Sequence, residues 1–211
     1  VMDLESLEQV LGERKITLVS SLVANNEVGS IQPVKEIVDI SSAHGVPVHV
    51  DAVAALGYQR LNFRDMGVES MSLSAHKVGG PVGVGALVLS RYALDIQALH
   101  HGGNQQRSRS GTMDAAGAVA FAVALEVRAA VREEGEHRLV ALRDRLRAGL
   151  LNVAPQCVAR GSLDHRLPGN LHLTVPGCKG DVLLYLLDEH GIHASTGSAC
   201  QAGIPEPSHV L

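Results

Sequence analysis

Three short apolar runs each end on a polar side chain with chemistry of its own. Residues 16–24 read as a buried strand that runs into Asn25, Asn26, Glu27 and Gly29. Residues 46–50 form a second apolar run ending on Asp51, and residues 71–74 a third that leads into Ala75, His76 and Lys77. After the first run, Pro33 stands where a first helical turn tolerates it. Val34, Ile37, Val38 and Ser41 then recur at helical spacing as far as His44 and Gly45. Residues 86–89 are a fourth strand candidate. Strand, helix, strand in this order suggests an α/β sheet with some parallel strands. Ligands of such open sheets sit outside the carboxyl ends of the strands, so the ends that carry Asn26, Asp51 and Lys77 mark a candidate site.

Further along, residues 114–133 read as a helix rich in Ala and Val, followed by a charged break at Gly135. An amphipathic helix then presents Leu139, Leu142, Leu146 and Leu150 on one face and Arg143, Asp144 and Arg147 on the other. The break predicts a boundary between a domain of residues 1–134 and a smaller one of residues 135–211. In the second, residues 171–175 read as a strand, 181–190 as a helix and 191–195 as a turn and strand approaching Cys200.

Composition narrows the function classes. At 45% hydrophobic and 19% charged the 211 residues can bury a sizeable core and do not resemble a disordered chain. A net charge of -4 gives no whole-chain attraction for nucleic acid or an anionic membrane surface. With no Trp, three Tyr and two Phe, stacking platforms for single strands are also lacking. The longest apolar stretch, residues 115–125, is too short to span a bilayer, and no signal-peptide pattern opens the chain. Cys157, Cys178 and Cys200 are odd in number and lack CxxC spacing, which argues against a disulfide framework or a cysteine zinc site. These features predict a soluble, cytoplasmic protein without a metal centre.

Lys77 precedes the glycines of Gly79-Gly80-Pro81-Val82-Gly83-Val84-Gly85, so the segment is no Walker A loop. By default such a lysine is a surface cation before a turn. Among small residues at a strand end it can instead form a Schiff base with a carbonyl. Pyridoxal phosphate chemistry needs that lysine together with an aspartate for the pyridinium nitrogen, and Asp51 supplies one, its plainer role being a turn or helix cap. Cys200 lies in Ser195-Thr196-Gly197-Ser198-Ala199-Cys200-Gln201-Ala202-Gly203, a setting of small polar residues that suits an accessible thiolate. Cys157 and Cys178 have no such setting and read as structural. Residues 102–112, rich in Gly, Ser and Arg, are either a solvated loop or a phosphate cradle.

In order along the chain, these segments resemble the cysteine desulfurases, the class-V aminotransferase-like branch of the fold-type I pyridoxal phosphate enzymes. The resemblance is carried by Asn25-Asn26-Glu27-Val28-Gly29, His49-Val50-Asp51-Ala52, Ser74-Ala75-His76-Lys77 with Gly80-Pro81-Val82-Gly83, Arg109-Ser110-Gly111-Thr112, and Gly197-Ser198-Ala199-Cys200 with Glu206-Pro207-Ser208-His209. It implies the later part of a large cofactor-binding domain, with a mixed, mostly parallel sheet and flanking helices, followed by a smaller, incomplete α/β domain. It also implies that Lys77 is the Schiff-base lysine and proton shuttle, that Asp51 pairs with the pyridinium nitrogen, and that Asn26 lies near the phenolic oxygen and the substrate. Ser74 and His76 would bind the phosphate, and Thr112 the phosphate of the neighbouring subunit of a homodimer. Cys200 would take sulfur from L-cysteine, leaving L-alanine and a persulfide for an acceptor such as an iron–sulfur scaffold. Its loop resembles the longer type found in enzymes that hand sulfur to a partner.

The sequence departs from the family pattern in places. Ala54 stands where a glutamine usually bonds the phenolic oxygen, a loss worth about 0.5–1.5 kcal/mol. Asn104 and Gln106 replace the usual Gly and Glu. The opening and closing parts of the pattern, with a stacking histidine and a carboxylate-binding arginine, are not represented, so the chain is expected to be a fragment. Selenocysteine lyase shares these motifs and is an alternative activity; a catalytically inactive remnant or interaction module is an alternative of another class.

Overall fold

The computed structural model describes residues 1–91, 93, 97–103, 108–198 and 208–211. The chain packs as two compact units: Val1–Val23 with Gln32–Glu134, and Ala24–Ile31 with Gly135–Leu211. Neither unit is continuous in sequence.

The first unit opens with helix α1 (Leu4–Glu13), whose N-terminal amides at Glu5 and Ser6 are capped by the Asp3 carboxylate. Four strands follow, β1 (Val19–Leu22), β2 (Val48–Asp51), β3 (Ser70–Ser74) and β4 (Gly85–Leu89), in the spatial order β1-β2-β3-β4. The first three are parallel and β4 returns antiparallel to β3. Helix α2 (Val34–Ala43) connects β1 to β2, and the single turn α3 (Phe63–Met66) lies between β2 and β3. Side chains alternate along β2 and β3, and register partners in neighbouring strands share a face. Val48, Val50 and Met71 therefore line one face, and all three are buried. His49, Asp51, Ser70, Ser72 and Ser74 line the other, where His49 Nδ1 lies 2.8 Å from Ser70 Oγ. Helix α2 packs against β2 and buries Val34, Ile37, Val38 and Ser41, the residues whose spacing marks it as amphipathic.

After β3 the chain makes a short 3₁₀ turn, Ala75–Val78, ended by Gly79 at φ 86°. Helix α4 (Ala115–Ala130) packs on this turn. Phe121 forms a cluster with Leu56 and Ala75, supported by Leu61, Leu73, Val78, Val84 and Leu125. The turn is thus pinned from beneath by an aromatic ring, while its polar side chains stay outside.

The second unit begins with a tight reversal at Ala24–Ile31. The Asn25 side-chain oxygen accepts from the amides of both Glu27 and Val28 at 2.9 Å, and Gly29 takes φ 72°. Residues 165–167 bind this turn through Ile31 N–H to His165 O and Leu167 N–H to Gly29 O, both 2.9 Å. Helix α5 (Arg132–Val153), the antiparallel pair β5 (Val158–Ala159) and β6 (Leu173–Thr174), and helix α6 (Gly180–Glu189) make up the rest.

Two local expectations differ from the structure. The helix break falls at Val131, and α5 runs through Gly135, because a single glycine weakens a helix by only about 1 kcal/mol without ending it. Residues 191–195 form no strand, having no ladder partner among the described residues.

Candidate active site

In the first unit the site is built on the carboxyl edge of two parallel strands. Asp51 is the last residue of β2, in register with Ser72 of β3. Its main-chain carbonyl accepts from Val23 N–H at 2.8 Å, which ties the end of β1 to the same edge. Its Oδ1 accepts from Val53 N–H at 2.8 Å, and its other oxygen has no hydrogen-bond partner among the described residues. Beyond Ser72, β3 ends at Ser74, whose Oγ lies 2.7 Å from His76 Nδ1. Lys77 follows on the 3₁₀ turn, exposed, with no hydrogen bond or ion pair among the described residues.

The glycine-rich return that follows packs backbone against backbone. Ala75 N–H donates to Val84 O at 3.0 Å and Gly80 N–H to Ala75 O at 2.9 Å. A Cβ on Gly80 would fall 3.0 Å from the Ala75 carbonyl oxygen, and one on Gly85 2.7 Å from that of Leu73. Glycine is needed there because no side chain fits between the strands and the turn. The outcome is a tightly packed turn that holds an amine, an imidazole and a hydroxyl within a few residues of one another, with a carboxylate at the end of the adjacent strand.

Ala54 lies in the turn after Asp51, where Leu56 N–H donates to Ala52 O at 2.8 Å, and its methyl offers no hydrogen bond. Thr112 is exposed and belongs to the first unit; no hydrogen bond joins it to Asp51, Ser74, His76 or Lys77. The neighbouring Ser110 hydroxyl donates to His100 O at 2.9 Å, and the Arg109 guanidinium to Ser110 O.

Asn26 belongs to the second unit, where its Nδ2 donates to Ser198 Oγ at 3.0 Å. Glu27 is buried beside it, and its Oε2 accepts from Ser208 Oγ at 2.9 Å. Cys200, Asn104, Gln106, Glu206 and Pro207 lie outside the described residues. Of the other cysteines, Cys157 is buried and Cys178 exposed, both as free thiols. Glu27, Asn170, Ser198 and Ser208 were not singled out individually by sequence reasoning, although Glu27, Ser198 and Ser208 sit inside the quoted motifs. Elsewhere in this unit Arg166 is buried among carbonyls. Burial, and then the charges of Arg143 and Arg147, push its pKa down.

Among the described residues no group of His, Cys, Asp and Glu could hold a metal ion, and no helix is long and apolar enough to cross a membrane. The donor set at the β2–β3 edge suits a different group. A free amine, a half-free carboxylate and a hydroxyl–imidazole pair beside a glycine-lined turn are the chemistry that an aromatic aldehyde phosphate requires, so these residues fit pyridoxal 5'-phosphate.

The mixed, mostly parallel sheet that carries this edge is part of an α/β fold of the fold-type I pyridoxal phosphate class. The model of the family described as aminotransferase class-V matches residues 1–211. The chain belongs to that family. It is 47% identical over 197 residues to the IscS-like cysteine desulfurase of Mycobacterium tuberculosis, covering 93% of this chain and 50% of that protein. To the cysteine desulfurase IscS of Methanosarcina thermophila it is 43% identical, covering 92% and 48% respectively. A solved structure titled NifS-like protein superposes with a TM-score of 0.85 at 37% identity, covering 92% of this chain and 53% of that one. The chain spans about half the length of the curated relatives it matches.

Proposed function

We propose that this chain is part of a pyridoxal phosphate-dependent cysteine desulfurase, which converts L-cysteine to L-alanine and passes the sulfur through Cys200 to an acceptor such as an iron–sulfur scaffold protein. The observation that carries the reading is the Lys77 amine, unpartnered among the described residues, on a glycine-braced turn at the same strand edge as the Asp51 carboxylate. The names of relatives at 43–47% identity support it.

In this reading Lys77 would hold the cofactor's aldehyde, Asp51 would serve its ring nitrogen, Ser74 and His76 would hold its phosphate, and Asn26 would serve its phenolic oxygen. Thr112 serves the phosphate site of the neighbouring subunit in a homodimer. When bound, the cofactor supplies an electron sink for the substrate's α-carbon. With the cofactor bound, the Lys77 amine would take and return the proton at that carbon. A carboxylate acceptor at Asp51 favours the charged ring nitrogen, because an opposite charge nearby stabilises the protonated form. Ala54 leaves one hydrogen bond fewer to the phenolic oxygen than a glutamine would give. The Cys200 thiolate attacks the sulfur of the substrate cysteine. A sulfur–sulfur bond forms as the carbon–sulfur bond breaks; the electron pair stays on carbon, which takes up a proton and leaves as alanine. The persulfide on Cys200 is then the cargo. Residues 1–134 contribute to the large cofactor-binding domain and residues 135–211 to the small domain that carries Cys200, and the enzyme works in the cytoplasm.

The test uses the complete protein with L-cysteine. Alanine release and a persulfide on Cys200, read by mass spectrometry, are expected. Lys77→Ala should abolish the visible cofactor absorbance and lower turnover about 10²–10⁴-fold, the usual worth of a general base. Cys200→Ser should keep the absorbance and lose the persulfide. Full turnover in either variant overturns the assignment.

A further inference from the structure

Outside the strand-edge group, the most constrained polar cluster surrounds Glu27. This carboxylate is only 7% exposed, and no cation pairs with it among the described residues. Its Oε2 accepts one hydrogen bond, from Ser208, and its Oε1 is buried without a partner among the described residues. A buried carboxyl with one hydroxyl partner among the described residues adds little to folding. Its place in the chain therefore calls for a reason other than stability.

The backbone around it is held from several sides. Glu27 N–H donates to Asn25 Oδ1 at 2.9 Å, and Glu27 O accepts from Asn170 Nδ2 at 3.1 Å. Asn170 is pressed against the turn, since a Cβ on Gly29 would fall 2.6 Å from it. From this fixed turn two adjacent side chains reach outward in sequence. Asn26 bonds Ser198, and Glu27 bonds Ser208. Gly197 also lies close, with an ideal Cβ 3.6 Å from Glu27 Oε1. Ser198 and Ser208 are the described residues on either side of residues 199–207, the segment that includes Cys200.

We infer that Glu27 is a positioning residue for the segment carrying Cys200, fixing with Asn26 the two points at which that segment leaves and rejoins the described fold. Glu27 acts through Ser208 and not on the reacting atoms. A charged acceptor makes this anchor stronger than a neutral one would be. The inference rests on reading Cys200 as the sulfur carrier, and the experiment separates the two.

In the complete protein without added cysteine, the rate at which iodoacetamide alkylates Cys200 is followed by peptide mass spectrometry, with exposed Cys178 as internal reference. Glu27→Ala and Ser208→Ala should each change the Cys200 rate about three- to ten-fold, the worth of one hydrogen bond, and leave Cys178 unchanged. Glu27→Gln, whose amide oxygen can still accept from Ser208, should restore most of the wild-type rate. With L-cysteine present, Glu27→Ala should lower kcat for persulfide formation more than it raises KM. Should Glu27→Ala fail to fold, Ser208→Ala carries the same expectation. Wild-type alkylation rates in the folded variants overturn the inference even if persulfide forms. A responsive Cys200 in a protein that makes no persulfide sustains the positioning role and overturns the desulfurase reading.

Discussion

Arg166 is buried with carbonyl oxygens as its acceptors. Its guanidinium donates to Ser162 O at 2.8 Å, to Asn170 O at 3.5 Å and to Arg160 O. The fixed fork of donors suits this task, because one planar group can bond several carbonyls at once. Arg143 of helix α5 is also largely buried and reaches the carbonyls of Leu167 and Pro168, but it pairs in addition with the more exposed Asp144. Arg143 Nε donates to Asp144 Oδ1 at 3.0 Å, and this hydrogen bond is the main reason that the Asp144 carboxyl lies below its ordinary value of 3.8. A carboxyl whose folded pKa is depressed contributes stability that is fully present above the unfolded value and lost as pH falls through the folded one. Asp144→Asn should therefore lower Tm at neutral pH, and the gap to wild type should close as pH drops below 3.8. A gap that persists unchanged at lower pH would show that the hydrogen bond does not carry it.

At the scale of elements, the turn that presents Lys77 depends on glycines for two different reasons. Gly79 ends the 3₁₀ turn at φ 86°, a left-handed conformation that side chains resist. Gly85 has no room, since its Cβ would meet the Leu73 carbonyl at 2.7 Å. Gly85→Ala should push β4 from β3 and cost about 1–3 kcal/mol, the usual penalty of overpacking. Denaturant unfolding measures that cost. Gly135 supplies the contrast. It sits inside helix α5 with nothing within 4 Å of an ideal Cβ, so Gly135→Ala should stabilise the protein by about 0.5–1 kcal/mol. Equal effects at the two positions would refute the steric account.

For the whole molecule, the discontinuity of the second unit is the main consequence. Residues 24–31 come from between β1 and α2, yet they bind residues 162–170 through Ser162 N–H to Ser30 Oγ, Ile31 N–H to His165 O, Leu167 N–H to Gly29 O and Asn170 Nδ2 to Glu27 O. A chain of residues 135–211 alone would lose all of these partners. Expressed by itself it should show helical circular dichroism without a sharp thermal transition, because the irregular segment 160–170 would have unsatisfied backbone groups. A cooperative transition in that fragment would mean that the reversal at residues 24–31 is dispensable. The match to a solved NifS-like structure extends over 92% of this chain, so the described elements belong to a known architecture and not to a local rearrangement.

Apolar runs and helical spacing are properties of the chain itself. The runs at residues 46–50 and 71–74 made β2 and β3 legible, and α2 was legible because Val34, Ile37, Val38 and Ser41 fall on one stripe. The residue types at the strand ends, an acid at Asp51 and an amine at Lys77, were equally visible, because the chain must leave a parallel sheet at its carboxyl edge. Long-range partnership was not visible. Nothing local shows that Asn25 folds its side chain onto two amides, that Glu27 is buried, or that Ser198 and Ser208 meet adjacent residues of one turn more than 170 positions earlier. Nor does spacing reveal that Asn26 packs with a unit formed mostly of residues beyond 134, while Asp51 and Lys77 do not. Such facts depend on which buried polar groups find each other once the core has closed, and only the tertiary structure decides that.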